Sequence, residues 1–218
     1  MKSIDTIRLR KAVGWLGLSL AFIVLTLCIV FDCVPGTHIF PQSISATYYY
    51  APTITPFMII LGSAGMVLVC YRGYNWVDDL INTATGLFAW GICLFPTWTS
   101  TAQRVGTFQV PVDISSNIHN ICAAGFFILL SINVLFLFTK SSGEITLNKK
   151  RRNIIYRVCG CGMLLAMLAL VLLNGWALVW WVEAIALIFF GIAFLTKADV
   201  YPWLFCDSKN EDKETDNA

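Results

Sequence analysis

Long apolar runs separated by short polar connectors dominate the chain. About 20 consecutive apolar residues cross the hydrocarbon core of a bilayer as a helix. Six runs meet this requirement, at about 12–31, 53–71, 80–96, 118–139, 156–174 and 178–197. The third is the shortest, but it carries no charge and can tilt or begin in the interface. The pattern predicts an all-α fold, a polytopic transmembrane helical bundle with six spans.

Composition excludes an ordinary soluble domain. Of the 218 residues, 57% are hydrophobic and 13% are charged, whereas a soluble domain has roughly 25% charged residues. Too little polar surface is left to cover a globule, so lipid must solvate much of the chain. We assign residues 1–203 to one transmembrane domain. Residues 204–218 are charged and lack apolar periodicity, so we expect a disordered cytoplasmic tail.

The positions of lysine and arginine predict the orientation. Cytoplasmic loops of membrane proteins are enriched in both residues. With the N-terminus in the cytosol, the outer loops contain Arg104 alone, and the other fourteen of the 15 cations lie in inner segments. The first apolar run is longer than the roughly 7–15 residues of a signal peptide and has no small-residue cleavage site after it, so we expect it to be retained. Both termini are expected in the cytosol, and the cell (cytoplasmic) membrane is the expected location.

The first outer connector has an unusual composition. Residues 43–52 read SISATYYYAP and combine hydroxyl groups with three consecutive tyrosines, without any charge. Tyrosine is common at membrane interfaces because its ring prefers lipid and its hydroxyl prefers water. An aromatic anchor is therefore the simplest interpretation. Three adjacent rings cannot all face lipid, however, and we expect at least one to turn towards the bundle.

Two ionisable residues lie near the outer ends of predicted spans. Glu183 is in the sixth span, where an unpaired buried carboxylate is costly. His119 opens the fourth span and can act as an acid, a base or a ligand. Structural roles stay open for both: a protonated or hydrogen-bonded Glu183 and a helix-capping His119. Topology places both at the depth of the outer connector, and the predicted ligand-binding residues are Ser43, Ser45, Tyr48, Tyr49, His119 and Glu183.

The same residues allow a catalytic alternative. His119 would act as a general base, oriented by Glu183 or Asp113. The sequence contains no recognised metal, nucleotide or nucleophile motif, so we expect no metal and no cofactor. A zinc site built from His38, His119 and Glu183 is the weaker alternative, because the chain has only 2 histidines.

The inner side contains the most basic segment. Next to an anionic inner leaflet, consecutive cations anchor a protein to lipid headgroups and help to fix its topology. Nucleic-acid binding is not expected, because no domain is present to organise the cluster. The predicted headgroup-contacting residues, in the loop before the fifth span, are Lys149, Lys150, Arg151 and Arg152.

Two carboxylates begin the third span on the inner side. Asp78 and Asp79 are suited to the positive end of a helix dipole, and Arg72 is close enough along the chain to pair with either. We interpret them as structural caps. A site that joins Asp79 with His119 is not expected, because roughly 30 Å of hydrocarbon separates the two faces.

Cysteine usage indicates free thiols. Most of the 8 cysteines lie in apolar runs, where a thiol behaves as a small hydrophobe. Cys33 is in a polar context near the outer end of the first helix. Its pairing with Cys28 or Cys93 is the one disulfide that we consider worth testing.

The order of several short motifs resembles that of known membrane families. The motifs are SISATYYY in the outer connector, YRGYNWVDD after the second span, GLFAWGICLFPT ending the third, HNICAAGFF opening the fourth and KKRRNIIYRVCG entering the fifth. This layout resembles uncharacterised bacterial six-helix integral membrane proteins. It is also similar to a bacterial membrane family of unknown function and to the damage-regulated autophagy modulators, with their relatives in GPI-anchor lipid remodelling.

The resemblance covers most of residues 40–195 and implies a six-helix bundle with a lipid-related role. It does not extend to ceramidase- and adiponectin-receptor-type metallohydrolases, whose HxxxH pair late in the chain is missing here, so zinc hydrolysis is not implied. The positions that match the families' motifs are Ile44, Ser45, Pro96, His119 and Ala123.

Three functional hypotheses follow. The leading one is a non-catalytic membrane protein that binds a lipid or small amphiphile in an outer-leaflet pocket lined by Ser45, Tyr48, His119 and Glu183. The second is a lipid-modifying membrane enzyme that uses His119. The third is a structural or assembly partner in a membrane complex. Membrane lipids are the expected partners, and a homo-oligomer or a membrane-protein partner is left open.

Overall fold

The fold is all-α apart from one short hairpin. A computed structural model describes residues 2–34, 40–73, 75–140, 147–172 and 176–201. The hairpin pairs β1 (Arg104–Val105) with β2 (Val110–Pro111) in antiparallel register. The six helices are α1 (Lys2–Val30), α2 (Ala51–Cys70), α3 (Trp76–Leu94), α4 (Val112–Ile132, continued by the π-helical turn Asn133–Leu137), α5 (Leu147–Leu172) and α6 (Trp176–Lys197).

Five of these helices are long and apolar enough to cross a membrane. The exception in the described part of the chain is α3, whose 19 residues include Asp78, Asp79 and Asn82 near its start. These polar side chains lower the mean hydropathy of α3 but leave its second half apolar. The predicted helical bundle of a multi-pass membrane protein is confirmed at this level.

The helices form a closed ring in sequence order. Each helix packs against the next along the chain, and α6 packs against α1 to close the ring. Contacts join the helix ends in two groups: Arg10 reaches Tyr71 and Lys197 in one, and Ile44 reaches Glu183 in the other. The helix ends therefore gather at two ends of the bundle. We call the end that contains Tyr48, Tyr49 and Tyr50 the tyrosine end. The opposite end, which contains Lys140, Lys149 and Lys197, is the lysine end.

Several helices begin earlier than the apolar runs that predicted them. α4 starts at Val112 rather than at 118, directly after Pro111, whose φ of −52° is compatible with a helix start. α5 starts at Leu147 rather than at 156. The basic residues 149–152 therefore lie in the first turns of a helix and not in a loop, because lysine and arginine are good helix formers. The predicted tail at 204–218 lies outside the described residues.

Glycines allow the closest helix contacts. A Cβ atom built on Gly86 of α3 would lie 2.5 Å from the carbonyl oxygen of Gly65 in α2. Small residues let helix backbones approach in this way in membranes. Trp90 then reaches across the same interface and donates its indole N–H to the Gly62 carbonyl at 3.1 Å. The α2–α3 contact therefore combines close backbone packing with an interhelical hydrogen bond.

Aromatic rings fill the centre of the bundle towards the lysine end. Phe126 of α4 packs edge-to-face against Phe190 of α6, and Phe190 packs in the same way against Phe194. Phe138 continues the series by contacting both Phe194 and Tyr156 of α5. All five side chains are buried. Edge-to-face pairs contribute beyond the area that they bury, so this series ties α4, α5 and α6 together.

The close contact between Gly86 and Gly65 predicts how substitution of glycine changes the stability of the protein. Gly86→Ala places a Cβ against the backbone of α2 and should destabilise the protein by about 1–3 kcal/mol, as overpacking does. Gly62→Ala is the matched control, because a Cβ there meets nothing within 4 Å. It should be neutral or stabilise the helix by roughly 0.5–1 kcal/mol. Thermal unfolding in detergent measures both, and equal melting temperatures for the two variants would contradict this packing.

Candidate functional site

One carboxylate joins α6 to the connector between α1 and α2. Glu183 lies near the start of α6, and its Oε2 accepts the backbone N–H of Ile44 at 2.5 Å and of Ser45 at 3.4 Å. Its Oε1 accepts the Ser45 hydroxyl at 3.4 Å. These groups begin the 3-10 helix Ser45–Tyr49, and the first N–H groups of a helix have no partner within it. Glu183 therefore caps a short helix in a distant part of the sequence.

The hydroxyl groups of the connector hold its own turn together. Ser43 Oγ accepts the Ala46 N–H at 2.8 Å. Thr47 Oγ1 donates to the Ile44 carbonyl at 2.5 Å, and Thr53 Oγ1 donates to the Thr47 carbonyl at 2.5 Å. Both threonines are fully buried. Short hydroxylated side chains form hydrogen bonds readily with nearby backbone groups. This part of SISATYYYAP is therefore a tight turn that is held by hydrogen bonds between its own side chains and its own backbone.

The three tyrosines make different contacts with the bundle, and the rings of Tyr48 and Tyr49 also pack edge-to-face, with their centroids 5.4 Å apart. Tyr49 donates its hydroxyl to the Thr97 carbonyl, just beyond α3. Tyr48 packs against the core and lies close to the Cys93 thiol, whereas Tyr50 lies close to two thiols at the end of α1. Burial raises the pKa of all three phenols above the ordinary value of 10, and that of Tyr49 to about 12. All three phenols are therefore neutral at physiological pH. Their contacts attach the connector to α1 and α3.

A cavity of about 60 Å³ lies beneath this connector, in the middle of the helix ring. Its polar lining consists of Ser45 and Glu183. Every helix contributes an apolar side chain to the rest of the wall. Examples, one from each helix in order, are Leu20, Phe57, Ile92, Phe126, Met167 and Leu187.

His119 closes the end of α3 and does not line this cavity. The His119 side chain is buried, and its Nδ1 lies 2.8 Å from the Phe95 carbonyl oxygen. A carbonyl only accepts, so Nδ1 is the donor in this contact and carries a proton. One turn earlier, Ser115 donates to the Pro96 carbonyl at 2.8 Å. The last carbonyls of α3, which lack partners within their own helix, are thus satisfied by side chains of α4.

The structure brings some of the predicted site residues together and separates others. Ser45 and Glu183 share hydrogen bonds and the cavity wall, as described above. The described hydrogen bonds do not join His119 to Glu183 or Asp113, and Asp113 is exposed in the first turn of α4. His38 lies outside the described residues. In the described part of the chain, no group of three or more His, Cys, Asp or Glu side chains is arranged to hold a metal ion.

Cations at the lysine end cap the carboxyl ends of helices. Lys149 Nζ and Lys197 Nζ each donate to the Phe138 carbonyl at 3.0 Å, just after the π-helical turn of α4. Arg10 contacts the Lys197 carbonyl at 3.5 Å at the end of α6. Cations are favoured at the negative end of the helix dipole, so these contacts stabilise the bundle.

The four predicted headgroup-contacting residues are therefore divided between two environments. Lys149 contacts helix carbonyls, and Arg152 pairs with Asp199 at 2.5 Å. Lys150 and Arg151 are exposed on the first turns of α5. Headgroup contact by these residues stays a prediction.

Sequence reasoning missed a buried polar cluster at the lysine end. Asp78, interpreted above as a structural cap, lies in the first turn of α3, but its side chain is also buried and pairs with Lys140 at 2.7 Å. Asn82 Nδ2 donates to the Asp78 carbonyl at 2.8 Å, and Asn133 Nδ2 donates to Asn82 Oδ1. The sequence does show one asparagine inside each of two apolar runs, Asn82 and Asn133. It does not indicate that these two side chains contact each other. Arg72 pairs with Asp79, at 3.5 Å.

Comparison with known proteins finds no match among protein-family models, curated protein sequences or solved structures. The resemblance to bacterial six-helix membrane proteins and to the autophagy-modulator and lipid-remodelling families stays a prediction. The arguments that follow therefore rest on the geometry of this chain.

The Glu183 contact predicts how the connector responds to substitution. Glu183→Leu leaves the Ile44 and Ser45 N–H groups without their acceptor. An unsatisfied buried donor costs about 1–3 kcal/mol of stability. Amide exchange in residues 44–49 should then accelerate by roughly five- to 150-fold, because exchange follows the local opening free energy.

Two matched variants refine this measurement. Ser45→Ala removes one long hydrogen bond and should change exchange little. Glu183→Gln keeps one acceptor oxygen and should be intermediate. Hydrogen–deuterium exchange mass spectrometry in detergent measures all three, and unchanged protection of residues 44–49 in Glu183→Leu would show that the carboxylate does not hold the connector.

Proposed function

We propose that this chain is a six-span protein of the cytoplasmic membrane that binds the apolar part of a lipid or similar amphiphile in the cavity beneath the α1–α2 connector. The observation that carries the proposal is the cavity itself, which reaches all six helices and whose polar lining residues are Ser45 and Glu183. Most ligand pockets combine an apolar wall with a few placed polar groups.

Packing supports α3 as the sixth span. It lies between α2 and α4 in the ring, and α2 ends at the lysine end whereas α4 starts at the tyrosine end. α3 must therefore cover the same distance as its neighbours. Its charged residues, Asp78 and Asp79, lie in its first turn at the lysine end, so the apolar remainder of the helix crosses the interior of the membrane.

The distribution of cations supports a cytosolic lysine end. Arg104 is the cation that the sequence assigns to the tyrosine end, in the strand β1. The cations that contact helix carbonyls, including Arg10, Lys149 and Lys197, gather at the other end. Because lysine and arginine are enriched on the cytosolic side of membrane proteins, this distribution supports a cytosolic position for both termini.

Size and polarity narrow the class of ligand. A cavity holds one water molecule per roughly 10–15 Å³ on this measure, so about 60 Å³ has room for about four to six. An acyl-chain end or a short apolar group fits this space, and a whole lipid does not. Glu183 offers only acceptor atoms when it is ionised. A polar group of the ligand that reaches it must therefore carry an O–H or N–H donor.

Filling the cavity tests the proposal. Ala123→Phe places a ring in the cavity wall, whereas Ile121→Phe adds a ring to the exposed face of the same helix. We expect co-purifying lipid per protein, measured by native mass spectrometry, to fall by about tenfold in Ala123→Phe, equivalent to about 1.4 kcal/mol of binding free energy. Ile121→Phe should retain the lipid. Equal lipid content in the two variants would remove the cavity as the binding site.

The same measurement distinguishes binding from turnover. His119→Asn keeps a donor near the position of Nδ1 and should leave both the bound lipid and the lipid composition of the membrane unchanged. An altered membrane lipid composition with unchanged bound lipid would instead favour the enzyme hypothesis.

Thiol labelling tests the orientation. Ala102→Cys introduces an exposed thiol at the tyrosine end, and Lys150→Cys introduces one at the lysine end. With the unsubstituted protein as background, a membrane-impermeant maleimide should label Ala102→Cys in intact cells and Lys150→Cys only after lysis. The reverse pattern would invert the proposed topology.

A further inference from the structure

The end of α1 has a specific turn that involves two cysteines. Asp32 adopts a left-handed conformation with φ of 47°. The Cys33 N–H donates to the Cys28 carbonyl at 3.0 Å, and the Asp32 N–H donates to the Ile29 carbonyl at 3.4 Å. These two hydrogen bonds define a Schellman motif, which brings the residue two positions past the helix cap against the last turn. Here the two residues brought together are Cys33 and Cys28.

The thiols of this turn face each other. Cys33 Sγ lies 4.0 Å from the Leu27 carbonyl, so its side chain is turned back onto the helix. The Cys28 and Cys33 thiols are close enough to interact electrostatically, and the Tyr50 hydroxyl lies near both. With standard bond lengths, the 3.0 Å backbone hydrogen bond keeps the two Cα atoms within about 7 Å. Disulfides usually span roughly 4.4–6.8 Å between Cα atoms.

We propose that Cys28 and Cys33 are a disulfide-forming pair, closed by an oxidising partner on the outer side of the membrane. The inference rests on the proposed orientation, which places the tyrosine end in a compartment where disulfides persist. It does not depend on ligand binding in the cavity. Cys33 is partly exposed and Cys28 is buried, at 2% exposure, so Cys33 is the sulfur that an external reagent reaches first.

The oxidant is a protein or small-molecule disulfide. The Cys33 thiolate attacks one sulfur of that disulfide, and its S–S bond breaks to release one thiol and leave a mixed disulfide on Cys33. Cys28 then loses its proton and attacks Cys33 Sγ, which forms the Cys28–Cys33 bond and releases the second thiol. In total, the two protein thiols lose two hydrogen atoms, and the external disulfide gains them.

The bond would fix the start of the connector that covers the cavity. Cys33 precedes Ile44 and Ser45 in the same connector, and the amides of those two residues bind Glu183. Tyr50, at the other end of the short helix, is within electrostatic reach of the same pair of sulfurs. A covalent link at Cys33 and the carboxylate at Glu183 thus hold the connector at two points.

Peptide mass spectrometry on protein alkylated during cell lysis tests the pair. In the unsubstituted protein, we expect the peptide that contains residues 28 and 33 to be two hydrogen atoms lighter and unalkylated. Cys70, exposed near the lysine end, should be alkylated as a free thiol in the same sample. In the Cys33→Ser variant, Cys28 should be recovered as an alkylated thiol.

A second experiment tests whether the two cysteines can form the disulfide, independently of the compartment in which they lie. Purified, reduced protein in detergent is incubated with oxidised glutathione, which should close the bond in the unsubstituted protein and leave glutathione on Cys33 in Cys28→Ser. Failure to close in this arm would overturn the pair. Closure in detergent with free thiols in cells would overturn the outer location, which Ala102→Cys labelling reports independently. Neither result depends on the lipid content of Ala123→Phe.

Discussion

A carboxylate in an apolar helix is costly unless donors reach it, and Glu183 obtains its donors from the connector between α1 and α2. The N–H groups of Ile44 and Ser45 need an acceptor as much as Glu183 needs donors. The carboxylate therefore supplies the acceptor that the N–H groups need, and they supply its donors, although 139 positions separate Ile44 and Glu183. The contact attaches the connector to α6, and Ile44, Ser45 and Glu183 all line the cavity below it.

The two ends of the bundle satisfy their helix termini with different chemistry. At the tyrosine end, neutral donors reach the carbonyls that follow α3: His119 contacts Phe95, Ser115 contacts Pro96 and Tyr49 contacts Thr97. At the lysine end, ammonium and guanidinium groups reach the carbonyls that follow α4 and α6. The asymmetry of charge along the chain is thus also an asymmetry in helix capping, and the cations at the lysine end contribute to the stability of the bundle.

The tyrosine run shows how one motif can serve several contacts. Interface anchoring alone does not require three adjacent rings. In the structure, Tyr48 lies near Cys93, Tyr49 bonds to the Thr97 carbonyl and Tyr50 lies near the end of α1. The Tyr48 and Tyr49 rings also contact each other edge-to-face. The 3-10 helix makes this possible because three residues complete one turn, so adjacent side chains leave the axis in different directions. The connector is thereby attached to both neighbours of α2 in the ring.

The sequence by itself determined the helical class, the approximate helix positions and the separation of most cations from the tyrosine run at 48–50, because hydropathy and charge act locally along the chain. It also identified Glu183 and His119 as polar groups that need partners. Only the tertiary structure decided which partners they have. Glu183 faces the connector and the cavity, whereas His119 faces the end of α3, and Asn82 meets Asn133 inside the bundle. These outcomes depend on helix rotation and neighbour order, which packing sets through contacts between residues far apart in the sequence.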